Sequence, residues 1–118
     1  VATGTAAVFG GSAEVEDLPG VPPLLCDPTL TRQMVGYMQE LNIPGSMPHP
    51  GITASASEDF ATIAQKVPSV FMYLSAGFTD ERGAAPAHNP KVLFNEEVLP
   101  QGAAWLTHCA LRWLEENQ

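Results

Sequence analysis

Basic side chains are scarce in this chain: five Lys and Arg among 118 residues, against thirteen Asp and Glu, for a formal net charge of −8. A surface this acidic repels phosphate backbones and anionic headgroups, so no nucleic-acid partner and no membrane-surface partner is expected. Long apolar runs are also missing. No stretch approaches the roughly 20 residues needed to span a bilayer, and the start lacks the basic, apolar, small-residue succession of a secretory signal. Cysteine is limited to Cys26 and Cys109, whose separation matches no C-x-x-C or metal-knuckle spacing. The pair allows one disulfide, but two free thiols in a reducing compartment, the cytoplasm, is the simpler reading. G-x-G-x-x-G, phosphate-loop, calcium-loop and G-x-S-x-G patterns are all absent, which leaves no motif for dinucleotide binding or a serine nucleophile.

Hydrophobic residues at 45 % lie in the ordinary globular range, and the length supports one small α/β domain with a modest core. The chain starts at Val1, without methionine and already inside a strand-like pattern, and so reads as a fragment or processed chain. Residues 2–17 alternate partially and are expected as two short strand pieces around a bend at Gly10-Gly11. The segment L-P-G-V-P-P-L-L-C-D-P at 18–28 holds four prolines and reads as an extended connector.

Asp27 can cap a first helix over 28–41, with Pro28 in its first turn, and Leu30, Met34, Met38 and Leu41 draw one apolar stripe. A long Pro-, Gly- and Ser-rich connection follows over 43–56. Ser57 is placed to cap a second helix over 57–67, with Glu58 and Asp59 in its first turn. Residues 69–77, S-V-F-M-Y-L-S-A-G, are apolar on both faces and predict an inner strand of an α/β sheet. A last helix over 98–116 carries Ala103, Leu106, Ala110, Trp113 and Leu114 as its main stripe, widened by Ala104, Cys109 and Leu111.

Histidine supplies the candidate ligands. His108 falls beside the apolar stripe of the last helix and reads as structural, while His49 sits between two prolines in a long loop. His88 is better placed, in a loop following the 69–77 segment, because ligands of open α/β sheets collect at strand ends. Glu96 and Glu97 are adjacent, so a helix would point them about 100° apart, and they do not form a general acid/base pair.

Three blocks then act together: A-S-E-D-F-A at 56–61, V-P-S-V-F-M-Y-L at 67–74 and H-N-P-K-V-L-F-N-E-E-V-L-P-Q-G-A at 88–103. Their order and spacing resemble the C-terminal part of the M20 metallopeptidase family, in the branch of amidohydrolases that cleave N-acyl amino acids. The run G-G-S-A-E-V-E at 10–16 and the Pro-rich stretch after it resemble the last strand of that family's lid domain and its return to the catalytic domain. The resemblance implies a division into a lid-derived strand segment, 1–17, and a C-terminal portion of a layered α/β catalytic domain, 18–118. Its chemistry implies two bridged divalent metal ions (zinc, manganese, nickel or cobalt) that activate a shared water, with a glutamate moving the proton.

On that template His88 matches the last histidine ligand of the metal pair. Asn89 and Pro90 would fix its loop, and Ser57, Glu58 and Asp59 would wall the active site. Ala56 and Ser75 stand where the family commonly has glycine, and Val92-Leu93 replaces its usual aromatic-acid pair. The other ligands and the general-base glutamate belong to the family's N-terminal half, and one imidazole makes no metal cage. The chain is therefore expected to bind no metal stably and to be inactive alone, needing an N-terminal catalytic half or another chain. An association module that keeps only the hydrolase fold is the alternative. An unrelated acidic α/β domain is a third reading. Unpaired strand edges in 2–17 would favour a homo-oligomer.

Overall fold

Two helices, α2 (Pro28–Glu40) and α4 (Leu99–Glu116), pack against each other and hold what core there is. The computed structural model describes all of residues 1–118. Local signals set α2: the Asp27 carboxylate accepts from the N–H groups of Thr29 (2.9 Å) and Leu30 (2.7 Å), and Pro28 occupies the first turn. One face of α2 then buries Met34, Tyr37 and Met38 against Cys109 of α4, with Leu30, Val70, Met72 and Trp105 packed around them.

The remaining helices are short. α1 (Ala2–Val8) stands at the start, α3 (Ala61–Ala64) is a single turn, and 3-10 turns occupy Glu81–Ala84 and Glu96–Val98. Only six residues are buried. The accessible surface is 9516 Å², whereas a compact protein of this mass exposes about 6,200 Å². The radius of gyration, 20.6 Å, likewise exceeds the roughly 13.5 Å of a compact chain of this length.

The expected layered α/β fold is corrected by this structure, which contains helices and turns but no β-strand. Residues 69–77 run without helix, turn or bend, as an inner strand would. No other segment lies alongside to form a ladder, and pairing is what makes a strand. Its backbone–backbone hydrogen bonds are confined to its two ends, Asp27 N–H to Ser69 O (2.9 Å) and Asn95 N–H to Ala76 O (2.7 Å), and Phe71 N–H donates to Cys26 Sγ (3.3 Å).

The strand segment expected over 2–17 is corrected as well. Its first part is the Ala-rich α1, which satisfies its backbone locally where no partner strand is available. Gly10, at φ 73°, follows the C-cap Phe9; Gly10 N–H bonds Ala7 O and Gly11 N–H bonds Ala6 O. This is a Schellman stop, not a bend between strands. The second helix is shorter than the expected 57–67 span. Ser57 caps nothing; the turn begins with Ala61 N–H on Glu58 O, and the Glu58 side chain accepts from Phe60 N–H at 3.1 Å.

In α4 the buried face is the one carrying Trp105 and Cys109. The expected stripe points outward, with Leu106 66 % exposed and Ala103, Ala110, Trp113 and Leu114 exposed beside it. Apolar residues surround most of this helix, so periodicity alone could not select the side that meets α2.

Candidate functional site

His88 is exposed and has a left-handed backbone, φ 65°, one of two non-glycine residues so placed. The next residue fixes the loop. Asn89 N–H bonds Pro86 O (3.2 Å), the Asn89 side chain accepts from Lys91 N–H (2.9 Å), and Val92 N–H bonds Asn89 O (3.0 Å). Asn89 thus closes an Asx turn that holds the chain immediately after the imidazole. Pro90 lies within this turn and is exposed. Ser57 and Asp59 are exposed too, whereas Glu58 is half-buried with one carboxylate oxygen engaged by Phe60 N–H.

No group of three or more His, Cys, Asp or Glu side chains is close enough to hold a metal ion. His88 therefore belongs to no such group, and the donors of this chain alone do not assemble a two-metal centre. His49 is exposed in its loop. His108 is engaged elsewhere, with Nε2 2.8 Å from Glu40 Oε2.

A cleft of about 600 Å³ lies at the far end of the 69–77 segment, between Phe78–Arg82 and Phe94–Glu97. His88 is not among its lining residues. Within it the Arg82 guanidinium sits 3.8 Å above the Phe78 ring and donates from Nε and Nη2 to the Asp80 carboxylate. Those hydrogen bonds hold the Asp80 carboxyl below its usual range and raise the Arg82 guanidinium. Sequence reading passed over this cluster as part of a surface loop. Its signal was the Asp80-x-Arg82 spacing beginning two residues after Phe78.

A second charged group joins the two helices. Arg112 donates to Glu40 (Nε to Oε2, 3.0 Å), Glu115 (3.0 Å) and Glu116 (2.9 Å), while Tyr37 O–H donates to Glu116. Arg112 is raised by these carboxylates, chiefly Glu40. Every member is committed to another, so the cluster ties α4 to α2 and offers no free nucleophile or base.

The sequence pattern of peptidase family M20/M25/M40 matches residues 2–112, and the chain belongs to that family, on its amidohydrolase branch. Members of the family generally use divalent metals. Among similar proteins is an IAA-amino acid hydrolase ILR1-like 2 of Arabidopsis thaliana, 42 % identical over 62 residues, which are 52 % of this chain and 14 % of that protein. An N-acetyldiaminopimelate deacetylase of Streptococcus suis is 33 % identical over 101 residues, 85 % of this chain and 25 % of its own length. An uncharacterized hydrolase y4tI of Sinorhizobium fredii is 26 % identical over 99 residues, 84 % of this chain and 24 % of its own. The chain thus spans a quarter or less of the length of these relatives. No solved structure matches it.

Proposed function

We propose that this chain is the C-terminal part of a metal-dependent amidohydrolase that cleaves the amide bond of N-acyl amino acids or small peptides. Family membership carries the reading, and the two relatives named for amino-acid conjugates and an N-acetylated amino acid support this substrate class. Within it His88 supplies one imidazole donor to a metal ion held mainly by another part of the protein. The Asx turn at Asn89 and the proline after it limit where that ring can swing. Ser57, Glu58 and Asp59 form a polar wall of the same site.

The lack of any group of three donors supports a further part of the proposal: alone, the 118-residue chain does not turn over substrate. Zinc, manganese, nickel and cobalt all accept an imidazole, so the donor type does not select among them. The two free thiols support placing the protein in the cytoplasm.

The test joins this chain to an N-terminal half of the family and supplies each of the four metals with a panel of N-acetyl and N-indoleacetyl amino acids. Release of free amino acid is expected, and His88→Ala should lower it by about 100-fold or more. No release with any metal, or full activity in the His88→Ala protein, defeats the proposal. Turnover by the isolated chain defeats its claim of incompleteness.

A further inference from the structure

His88 is the third residue of a turn closed by Asn89 N–H on Pro86 O at 3.2 Å. Its φ is 65°, and Ala87 before it is not among the residues of positive φ. A turn whose first central residue has negative φ and whose second has positive φ is of the type II kind. It favours glycine at the second place, where a Cβ crowds the backbone. The other non-glycine residue of positive φ is Asn42, just past the C-cap Leu41 of α2, and asparagine is an ordinary occupant of a helix end. His88 stands at no helix end, and the turn there takes histidine where glycine would suit it better.

The turn that follows is the opposite case. Val92 N–H donates to Asn89 O at 3.0 Å, and Asn89 Oδ1 accepts from Lys91 N–H at 2.9 Å. Its residues are the ones such a turn selects: an asparagine whose side chain accepts from the backbone two positions on, then Pro90 with φ already set. Asn89 ends one turn and begins the next, with its N–H engaged backwards and its C=O and side chain engaged forwards. The peptide plane between His88 and Asn89 carries that N–H, so the two turns together fix the plane and, with it, ψ of His88.

We infer that Asn89 is a positioning residue for the His88 ring: the well-formed turn from Asn89 to Val92 holds residue 88 in a backbone conformation that histidine takes less readily than glycine. Every hydrogen bond involved lies within residues 86–92, so this stretch sets the conformation itself. The direction of a Cα–Cβ bond follows from φ and ψ, and the ring therefore leaves the chain along a line fixed before any ligand arrives. Only its two side-chain torsions stay free. Histidine at a glycine place means that the ring is kept there against the backbone preference, as happens where a side chain serves a site. What the ring serves rests on the reading of His88 as a donor in the proposed hydrolase; the conformation does not.

The test is NMR of the isotope-labelled 118-residue chain, in which positive φ gives an intense NOE between the amide and Hα protons of one residue. His88 should show it. Asn89→Ala should weaken it and speed exchange of the Lys91 amide with water by about fivefold, the effect of one lost hydrogen bond. Asn89→Asp keeps the acceptor and should restore both. His88→Gly should slow exchange of the Asn89 amide by about threefold, and the β-branched His88→Val should speed it by at least as much. In the protein joined to an N-terminal half, Asn89→Ala should lower kcat about tenfold with KM within about twofold, and Asn89→Asp should recover it. A wild-type His88 without the strong NOE overturns the inference. So do an Asn89→Ala chain that keeps it, an Asn89 amide indifferent to His88→Gly, and an unchanged kcat in joined Asn89→Ala. An inactive joined wild type defeats the proposed function and the purpose given to the ring, whereas the NOE and exchange results decide the turn alone.

Discussion

Nε2 of His108 lies 2.8 Å from Oε2 of Glu40, a contact that joins the middle of α4 to the last residue of α2 across 68 positions of chain. The same carboxylate oxygen accepts from Arg112 Nε at 3.0 Å, so two adjacent turns of α4 are fastened to one side chain. One turn further along, Glu116 accepts from Tyr37 and Gln33 of α2. The helix pair is therefore held by a small apolar centre with a polar seam beside it.

This seam makes stability acid-sensitive. Glu40 is held below the usual carboxylate range chiefly by its hydrogen bond from Arg112 and then by that from His108; Glu116 is lowered chiefly by Tyr37 and then by Gln33. A carboxyl depressed in the folded state contributes stability above its unfolded value, near 4.5, and loses it as pH falls through the folded value. Urea midpoints should hold steady from neutral pH and decline below this point. Glu40→Gln should lower the melting temperature at neutral pH by no more than about 4 °C, since the pairs are exposed. Its acid decline should be shallower than the wild type's, and parallel declines would show that Glu40 is not responsible.

Asp27 is the most localised support of α2. Replacing it by alanine leaves the Thr29 and Leu30 N–H groups without their side-chain acceptor, at a cost of about 1 kcal/mol. Asp27→Asn keeps an acceptor oxygen and should lose less than half of that. Denaturant unfolding of the three proteins checks the order, and equal losses for both substitutions would assign the effect to charge.

What could be read from sequence was local. The Asp27-Pro28 start of α2 and the apolar spacing of Met34 and Met38 depend on neighbours within a turn or two, and the structure has both. Tyr37 was missed in the core because its polar end gave it no place in the stripe, yet Glu116, 79 residues away, supplies its partner. The features misread depend on distant segments. Residues 69–77 have a strand's composition without a strand's neighbour, and 2–8 take the helix that alanine favours. His88 was singled out by its resemblance to the family blocks alone, and in the structure it belongs to no group of three or more His, Cys, Asp or Glu.

Two glycines separate backbone crowding from side-chain crowding. A Cβ at Gly83 would stand 2.1 Å from Phe78 O, and a carbonyl cannot rotate away without moving the chain. Gly83→Ala should cost about 1–3 kcal/mol and break the Arg82–Phe78 stacking, an effect visible in the chemical shifts of the Phe78 ring. At Gly102 the obstruction is Leu74 Cδ2 at 2.7 Å, the end of a flexible and partly exposed side chain. Gly102→Ala also gains helix propensity within α4 and should change stability by less than about 1 kcal/mol. Comparable losses at both positions would mean that Leu74 is more tightly held than its exposure suggests.

The two thiols report on the core from opposite sides. Cys26 is exposed, whereas Cys109 is 2 % exposed and its Sγ lies 3.6 Å from Met34 O. Burial pushes the Cys109 thiol above its usual range, with a smaller push from the Glu40 charge, so little reactive thiolate forms there. A disulfide-exchange reagent at mildly alkaline pH should modify one thiol per chain at once. The second should follow at least about 100-fold more slowly, at a rate set by separation of α2 from α4. Met38→Ala removes a buried side chain from the same cluster and should speed the slow phase while leaving the fast one alone. Two fast thiols in the wild-type chain would mean that α2 and α4 are not packed together in solution.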